Sequence, residues 1–375
     1  MLGVSKCYSN RNVLMVFATL AMLGAACSAS QGAVVIASST LPVQLKWQQS
    51  SGAQEVGPLR GIPGYADDRV YFWSGSKLLA LDVKTGEKIW EYDAKGFIWE
   101  AQASDRFVVF LVRTGWIEDT LVVLDTEGEM IWKQSGYFRS FCLGDSLLFA
   151  ALEGHVRAYD LATGETIWDN QEAAESHWNT HLLYENSSLY VEGRNLRVLN
   201  PITGEMSREF EAQTVPGQTG IYNSILYTTD YDNNMLIAID GQTGAMRWSR
   251  TYWPARDDFN AFALVDGVLY IPDREGNVLA VDSDDGTLLW QYQGSPRVQV
   301  LSNVVVFGDT VYAVFSDDTL RGIDTRTGQE IGRLKAAGVD PPTEGGPIGI
   351  AKIATADSLL LVTFDGVTLF ALQPQ

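Results

Sequence analysis

"LALDVKTGEKIW" (residues 79–90) returns in nearly the same words as "RAYDLATGETIW" (157–168), "IAIDGQTGAMRW" (237–248) and "LAVDSDDGTLLW" (279–290). Aligned on its acidic residue, the phrase falls at Asp82, Asp125, Asp160, Asn200, Asp240, Asp282 and Asp324, at intervals of 35 to 43 residues. Recurrence at that period marks a structural unit rather than a catalytic motif. The chemistry of the phrase is that of a tight reversal. Asp82 accepts hydrogen bonds from turn amides, Thr85 does the same with its hydroxyl, and Gly86 supplies the positive φ that the reversal needs. Gly164, Gly244, Gly286 and Gly328 stand at the matching place. Trp90 then opens a new strand, and an indole of that size is suited to a seam between neighbouring units.

Upstream of each phrase runs an apolar alternating stretch, such as "RVYFW" (69–73), "SLLFAAL" (146–152), "VLYIP" (268–272) and "TVYAVF" (310–315), bounded by Gly, Asp or Asn. No helical periodicity intervenes. Each period therefore holds four short strands, which is the arithmetic of a β-propeller blade. The outer-strand positions fall at Trp47, Trp90, Trp132, Trp168, Arg208, Trp248, Trp290 and Gly332, which predicts an all-β propeller of eight four-stranded blades. The last blade, "SLLLVTFDGVTLFALQ" (358–373), stops where its outer strand should begin. "VQLKWQQS" (43–50) has the pattern of an outer strand with no hairpin before it. The N-terminal strand is thus expected to complete the C-terminal blade and leave the ring without an open edge.

The chain has 375 residues, 46% of them hydrophobic, with 46 acidic side chains against 27 basic ones for a formal charge of −19. Such a surface repels a phosphate backbone, which argues against nucleic acid as a partner. At the N-terminus, Lys6 and Arg11 precede the apolar run "NVLMVFATLAMLGAA" (12–26), too short for a comfortable membrane span and typical of an export signal. "MLGAAC" (22–27) resembles a lipobox, so Cys27 is the expected lipidation site. The expected organisation is signal peptide 1–27, linker 28–40 and propeller 41–375. With Cys7 in the signal and Cys27 acylated, only Cys142 remains in the folded part, and no intramolecular disulfide can form.

The frame Ala80, Asp82, Thr85-Gly86, Trp90 resembles the tryptophan-docking repeat of the pyrroloquinoline-quinone-like β-propeller family, and the likeness recurs in phase over roughly residues 40 to 375. Departures are a shorter turn after Asp125, Asn200 in place of Asp, Asp285 in place of Thr, and the absence of Trp at Arg208 and Gly332. One branch of that family comprises quinoprotein dehydrogenases holding the quinone and calcium in the ring axis. Another comprises non-catalytic, lipid-anchored propellers of the BamB type, which serve outer-membrane protein assembly. This chain is similar to the second in size, blade number and lipobox-like start. Dehydrogenases of the first branch clamp the quinone with an adjacent cysteine pair, whereas Cys142 stands alone. The resemblance therefore implies no cofactor, no catalytic residue and no metal ligand.

Other constellations read as structure. In "ESHWNTH" (175–181), His177 and His181 lie about 13 Å apart along an extended strand, too far to share a metal. "DYDNN" (230–234), "DSDDG" (282–286) and Asp257-Asp258 lack the spacing of a calcium loop and read as turn chemistry. The first strand of several blades carries an aromatic at a comparable place: Trp99, Phe138, Trp178, Tyr222 and Phe259. Exposed at a rim, with Glu100 and Arg139 beside them, these would anchor a peptide. The expected function is an exported, membrane-anchored, non-catalytic scaffold that binds envelope proteins or peptides and touches the membrane only through its lipid. A quinone- and calcium-dependent dehydrogenase and a surface sensor or carbohydrate-binding propeller are the alternatives.

Overall fold

The computed structural model describes residues 34–375 apart from 53–60, 67, 115–117, 175–179, 194, 211–219, 231–234, 253–261, 274 and 339–350. Among the described residues all regular structure is β, arranged as eight antiparallel sheets. Blades 1 to 7 span residues 61–93, 97–136, 138–170, 181–210, 220–250, 263–292 and 305–337, and within each the strands pair in chain order. The first strands of neighbouring blades approach one another, which places them at the ring axis and the fourth strands at the periphery. The second and third strands are buried on both faces, as in Arg69–Ser74 and Lys77–Asp82, whereas the outer strand Lys88–Asp93 faces solvent along much of its length. The alternation expected of these inner runs is therefore replaced by continuous burial, because each is sandwiched between two neighbouring blades. The core lies between blades: Tyr71 and Leu78 of blade 1, for example, pack against Ile98, Phe110 and Leu124 of blade 2.

The repeated phrase builds both a turn and a seam. Asp82 Oδ1 accepts from the Lys84 amide (3.0 Å), the Thr85 amide (2.8 Å) and the Thr85 hydroxyl (3.0 Å). In blade 6 the Thr is replaced by Asp285, whose carboxylate takes over its contact with the residue two along, Thr287, at 2.8 Å. In blade 2 the shortened turn is held by Asp125, which accepts from both Glu127 and Glu129 amides at 2.9 Å. Gly86 has φ +72°, and Trp47 of the preceding blade lies flat against it, so that any side chain there would overlap the indole. The same close approach joins Trp90 to Gly128, Trp132 to Gly164, Trp168 to Gly204, Trp248 to Gly286 and Trp290 to Gly328. Each indole also donates its N–H to the carbonyl of the residue after the turn's Asp or Asn. The acceptors are Val83, Thr126, Leu161, Pro201, Ser283 and Thr325, all at 2.8 to 2.9 Å.

Two outer strands depart from this pattern, and both departures have a physical cause. At blade 4, Arg208 holds the register position opposite Val198 but is exposed. Phe210, two residues along on the same side of the strand, reaches Gly244 of blade 5 instead. At blade 7, Gly332 stands where the indole would be because blade 8 has no hairpin to receive one: its third strand is C-terminal and its outer strand N-terminal. β1 (Val35–Ser39), inside the stretch expected to be linker, pairs with the outer strand of blade 7 (Glu330–Ala337) as a fifth strand. β2 (Val43–Ser50) then completes blade 8, with Trp47 opposite Ala371 and Ser50 opposite Thr368. Between them Leu41, 5% exposed, packs with Tyr312 of blade 7 and Phe370 and Leu372 of blade 8. Gly322 and Gly332 leave the room that its side chain and the Thr40 backbone fill.

Truncation of a seam indole tests this assignment. Trp248 is 6% exposed and bonded to Ser283. Trp248→Ala is expected to cost about 3–5 kcal/mol, read as a lowered midpoint in thermal or denaturant unfolding; an unchanged midpoint would remove the seam role.

Candidate functional site

The first strands expose one backbone edge to the axis, and polar side chains from the preceding blade satisfy it. Gln102 of blade 2 donates to the Phe141 carbonyl (2.9 Å) and accepts from the Leu143 amide (3.3 Å) of blade 3. Ser140 of blade 3 donates to the Thr180 carbonyl at 2.8 Å. Asn303 bonds both the carbonyl (2.9 Å) and the amide (3.3 Å) of Ile353 in blade 8. Edges that would otherwise recruit foreign strands are thereby closed.

Within this lining sits one cluster of titratable groups, drawn from blades 2, 3 and 4. His181 opens the first strand of blade 4 (His181–Glu185) and lies opposite Glu192 on the second. Its Nδ1 is 2.9 Å from Oε2 of Glu192, a carboxylate with no solvent exposure. Glu100, half-buried on the first strand of blade 2, faces the same imidazole. Burial pushes the Glu100 carboxyl up to about 7, against the opposing pull of His181, the Phe141 amide and Gln102. Burial disfavours the charged imidazole, but the hydrogen bond and charge of Glu192, with the charge of Glu100, carry its pKa above the ordinary histidine value. Cys142, also buried, is raised by burial and by Glu100, which keeps it a thiol. One imidazole is thus hydrogen-bonded to Glu192 and faces the charge of Glu100 in a low-dielectric lining. Glu175 and His177 lie outside the described residues, and among the described residues no three His, Cys, Asp or Glu side chains converge as a metal site would require.

The aromatics expected at a rim are separated by the structure. Trp99 occupies a bulge between Ile98 and Glu100, beside the loop that joins the second and third strands. Its indole donates to Asp119 (3.2 Å), whose carboxylate also holds Arg113 (2.9 Å), and the guanidinium stacks over the ring at 5.6 Å. Blade 3 has a bulge at the same place, which turns Arg139 to solvent and leaves Phe138 only 2% exposed. Phe138 is therefore packing, and its neighbour Tyr137, 51% exposed, is the surface aromatic. Tyr222 is exposed but sits in the hairpin between the first two strands of blade 5, at the opposite end of the ring from Trp99. Trp178 and Phe259 lie outside the described residues. What remains at one end is a patch of Trp99, Arg113, Tyr137 and Arg139.

Sequence reading did not single out Arg321, the largest fully buried side chain among the described residues. Its guanidinium bonds Thr319 (3.0 Å), Tyr292 of blade 6 (2.9 Å) and Asp317 (2.6 Å) and lies 4.1 Å from the centre of the Phe315 ring. Every partner is supplied by the protein, so this network pins blade 6 to blade 7 rather than awaiting a ligand.

Comparison with known proteins agrees with this architecture. A family profile described as outer membrane protein assembly factor BamB matches residues 44–140 and 152–344, and the chain belongs to that family. The BamB of Burkholderia pseudomallei is 23% identical over 370 residues, covering 87% of each chain. That of Yersinia pestis is 23% identical over 220 residues, 52% of this chain and 56% of the relative. The chain matches only about half the length of several such relatives. Among solved structures, BamB from Moraxella catarrhalis superposes with TM-score 0.67 at 14% identity, covering 88% of this chain and 99% of that one. A quinohemoprotein alcohol dehydrogenase from Pseudomonas putida gives TM-score 0.64 at 13% identity, covering 89% of this chain and 76% of that one.

The raised Glu100 pKa has a pH signature. A carboxyl that binds its proton more tightly when folded contributes stability that is full below the ordinary carboxylate range and is lost as pH rises through about 7. Glu100→Gln is therefore expected to gain midpoint temperature relative to the parent at pH 8.5 and to gain less at pH 5. The reverse order in a pair of melting series would exclude the assignment.

Proposed function

We propose that this chain is a non-catalytic, lipid-anchored propeller of the cell envelope that holds protein partners during outer-membrane protein assembly. The observation that carries the reading is the family match, which runs through nearly the whole ring rather than through one blade. The patch of Trp99, Arg113, Tyr137 and Arg139 supplies the surface: aromatic and guanidinium groups of this kind anchor protein interfaces, and two of the four are positioned by β-bulges. In a chain of formal charge −19, exposed arginines at one end favour an acidic or carboxylate-bearing peptide as the partner. Cys27, outside the described residues, would fix the protein to the membrane through its lipid, and among the described residues no helix is long and apolar enough to cross a bilayer.

The dehydrogenase alternative requires a quinone and a calcium ion at the axis. The donor set there does not suit them. Glu100 is directed to Gln102, the Phe141 amide and His181, Glu192 is directed to His181, and the sequence offers no adjacent cysteine pair.

Three measurements test the function. Affinity capture from envelope extract with the full chain should recover an outer-membrane assembly component, and Arg139→Glu should reduce the recovery at least several-fold with an unchanged melting temperature. Equal recovery by the variant would remove the patch from the interface. Saturable uptake of pyrroloquinoline quinone with calcium, accompanied by dye reduction with an alcohol or sugar, would replace the scaffold by an enzyme. Mass spectrometry of the mature N-terminus should find acylated Cys27, and an unmodified residue beyond it would rule out the anchor.

A further inference from the structure

We propose that the ring has one built-in weak seam, between blades 4 and 5, and that it opens there first while the remaining blades stay folded. Six seams carry an indole that both covers a turn glycine and donates to the adjoining carbonyl. At the seam between blades 4 and 5 the ring on Gly244 is Phe210, which has no N–H to give, so the Gly241 carbonyl receives no indole bond. Arg208, in the indole's register, is exposed and contributes no cover.

The buried apolar contact is also smallest here. Among the described residues, this seam holds six buried hydrophobic side chains, including Tyr190, Val198, Leu226 and Ile239, against nine to fourteen at each of the others. The seam between blades 7 and 8 also lacks an indole, yet it has the largest cluster of all because Val34 and Leu41 are threaded into it. The termini, where a ring is ordinarily vulnerable, are thus reinforced, and the least protected joint lies half-way round from blade 8. Local opening follows the joint with the fewest buried apolar contacts. An adaptor built this way yields at one radial slot without losing its closure strand.

Peptide-resolved hydrogen exchange on the full chain tests this. Amides of Leu196–Leu199 and Met235–Asp240 are expected to exchange about tenfold or more faster than those of the equivalent third strands of blades 2 and 3, Asp119–Asp125 and His155–Asp160. Equal protection in all four would overturn the proposal. Arg208→Trp combined with Phe210→Gln, which recreates the arrangement at Trp132 and Gln134, should slow exchange in blades 4 and 5 to the level of their neighbours; a folded double variant with unchanged exchange would also overturn it. Phe210→Ala should accelerate exchange in blades 4 and 5 alone, whereas uniform acceleration around the ring would show a single cooperative unit with no weak seam.

Discussion

The propeller depends on one contact made six times: an indole laid on the glycine of the next blade's turn, its N–H pointed at the carbonyl just after the turn's acidic residue. The contact couples three requirements that are otherwise separate. The turn needs an Asp and a Gly to reverse the chain, the seam needs a large apolar cover, and the buried indole N–H needs an acceptor. A single twelve-residue phrase satisfies all three, and at six of the eight seams one blade gives an indole to the turn of the next. The absence of any disulfide from the folded part is then no handicap, because the apolar surface of every blade is covered by the next.

A ring made of such contacts has to end somewhere, and the interruption shows what the contact requires. Blade 8 is assembled from both ends of the described chain, so it has no hairpin between its third and outer strands and nothing on which an indole could lie. The preceding blade accordingly carries Gly332 in place of Trp, and the space is taken by Thr40 and Leu41 as the N-terminal segment crosses from β1 to β2. The Gln375 amide donates to the Pro42 carbonyl at 2.9 Å, which ties the last residue to the crossing. The loss of an aromatic at one position and the gain of a strand thirty residues from the start of the chain are a single adjustment.

The axis is closed by different means. Its backbone edges are capped by Gln102, Ser140 and Asn303, and His181 is hydrogen-bonded to Glu192 and faces the charge of Glu100. At the end of blades 2 and 3, Trp99 and Arg113 are tied to Asp119, whereas a bulge turns Arg139 to solvent.

The sequence by itself determined the repeat, the turn chemistry, the number of blades and the closure of blade 8 by "VQLKWQQS", because each rests on residues close together in the chain or on a period that can be counted. It determined too that Arg208 and Gly332 break the pattern. Only the tertiary structure decided what compensates: Phe210 is two residues from the expected register, and Leu41 is some three hundred residues from the glycines it covers, so neither is visible to local pattern. The rim aromatics show the same limit. Trp99, Phe138 and Tyr222 occupy similar places in the text, but a bulge of one residue decides whether a side chain meets solvent or core, and position along the first strand decides which end of the ring it reaches. The Glu100–His181–Glu192 cluster was least legible, since it joins strands of two different blades across the axis, and proximity of that kind exists only once the ring has closed.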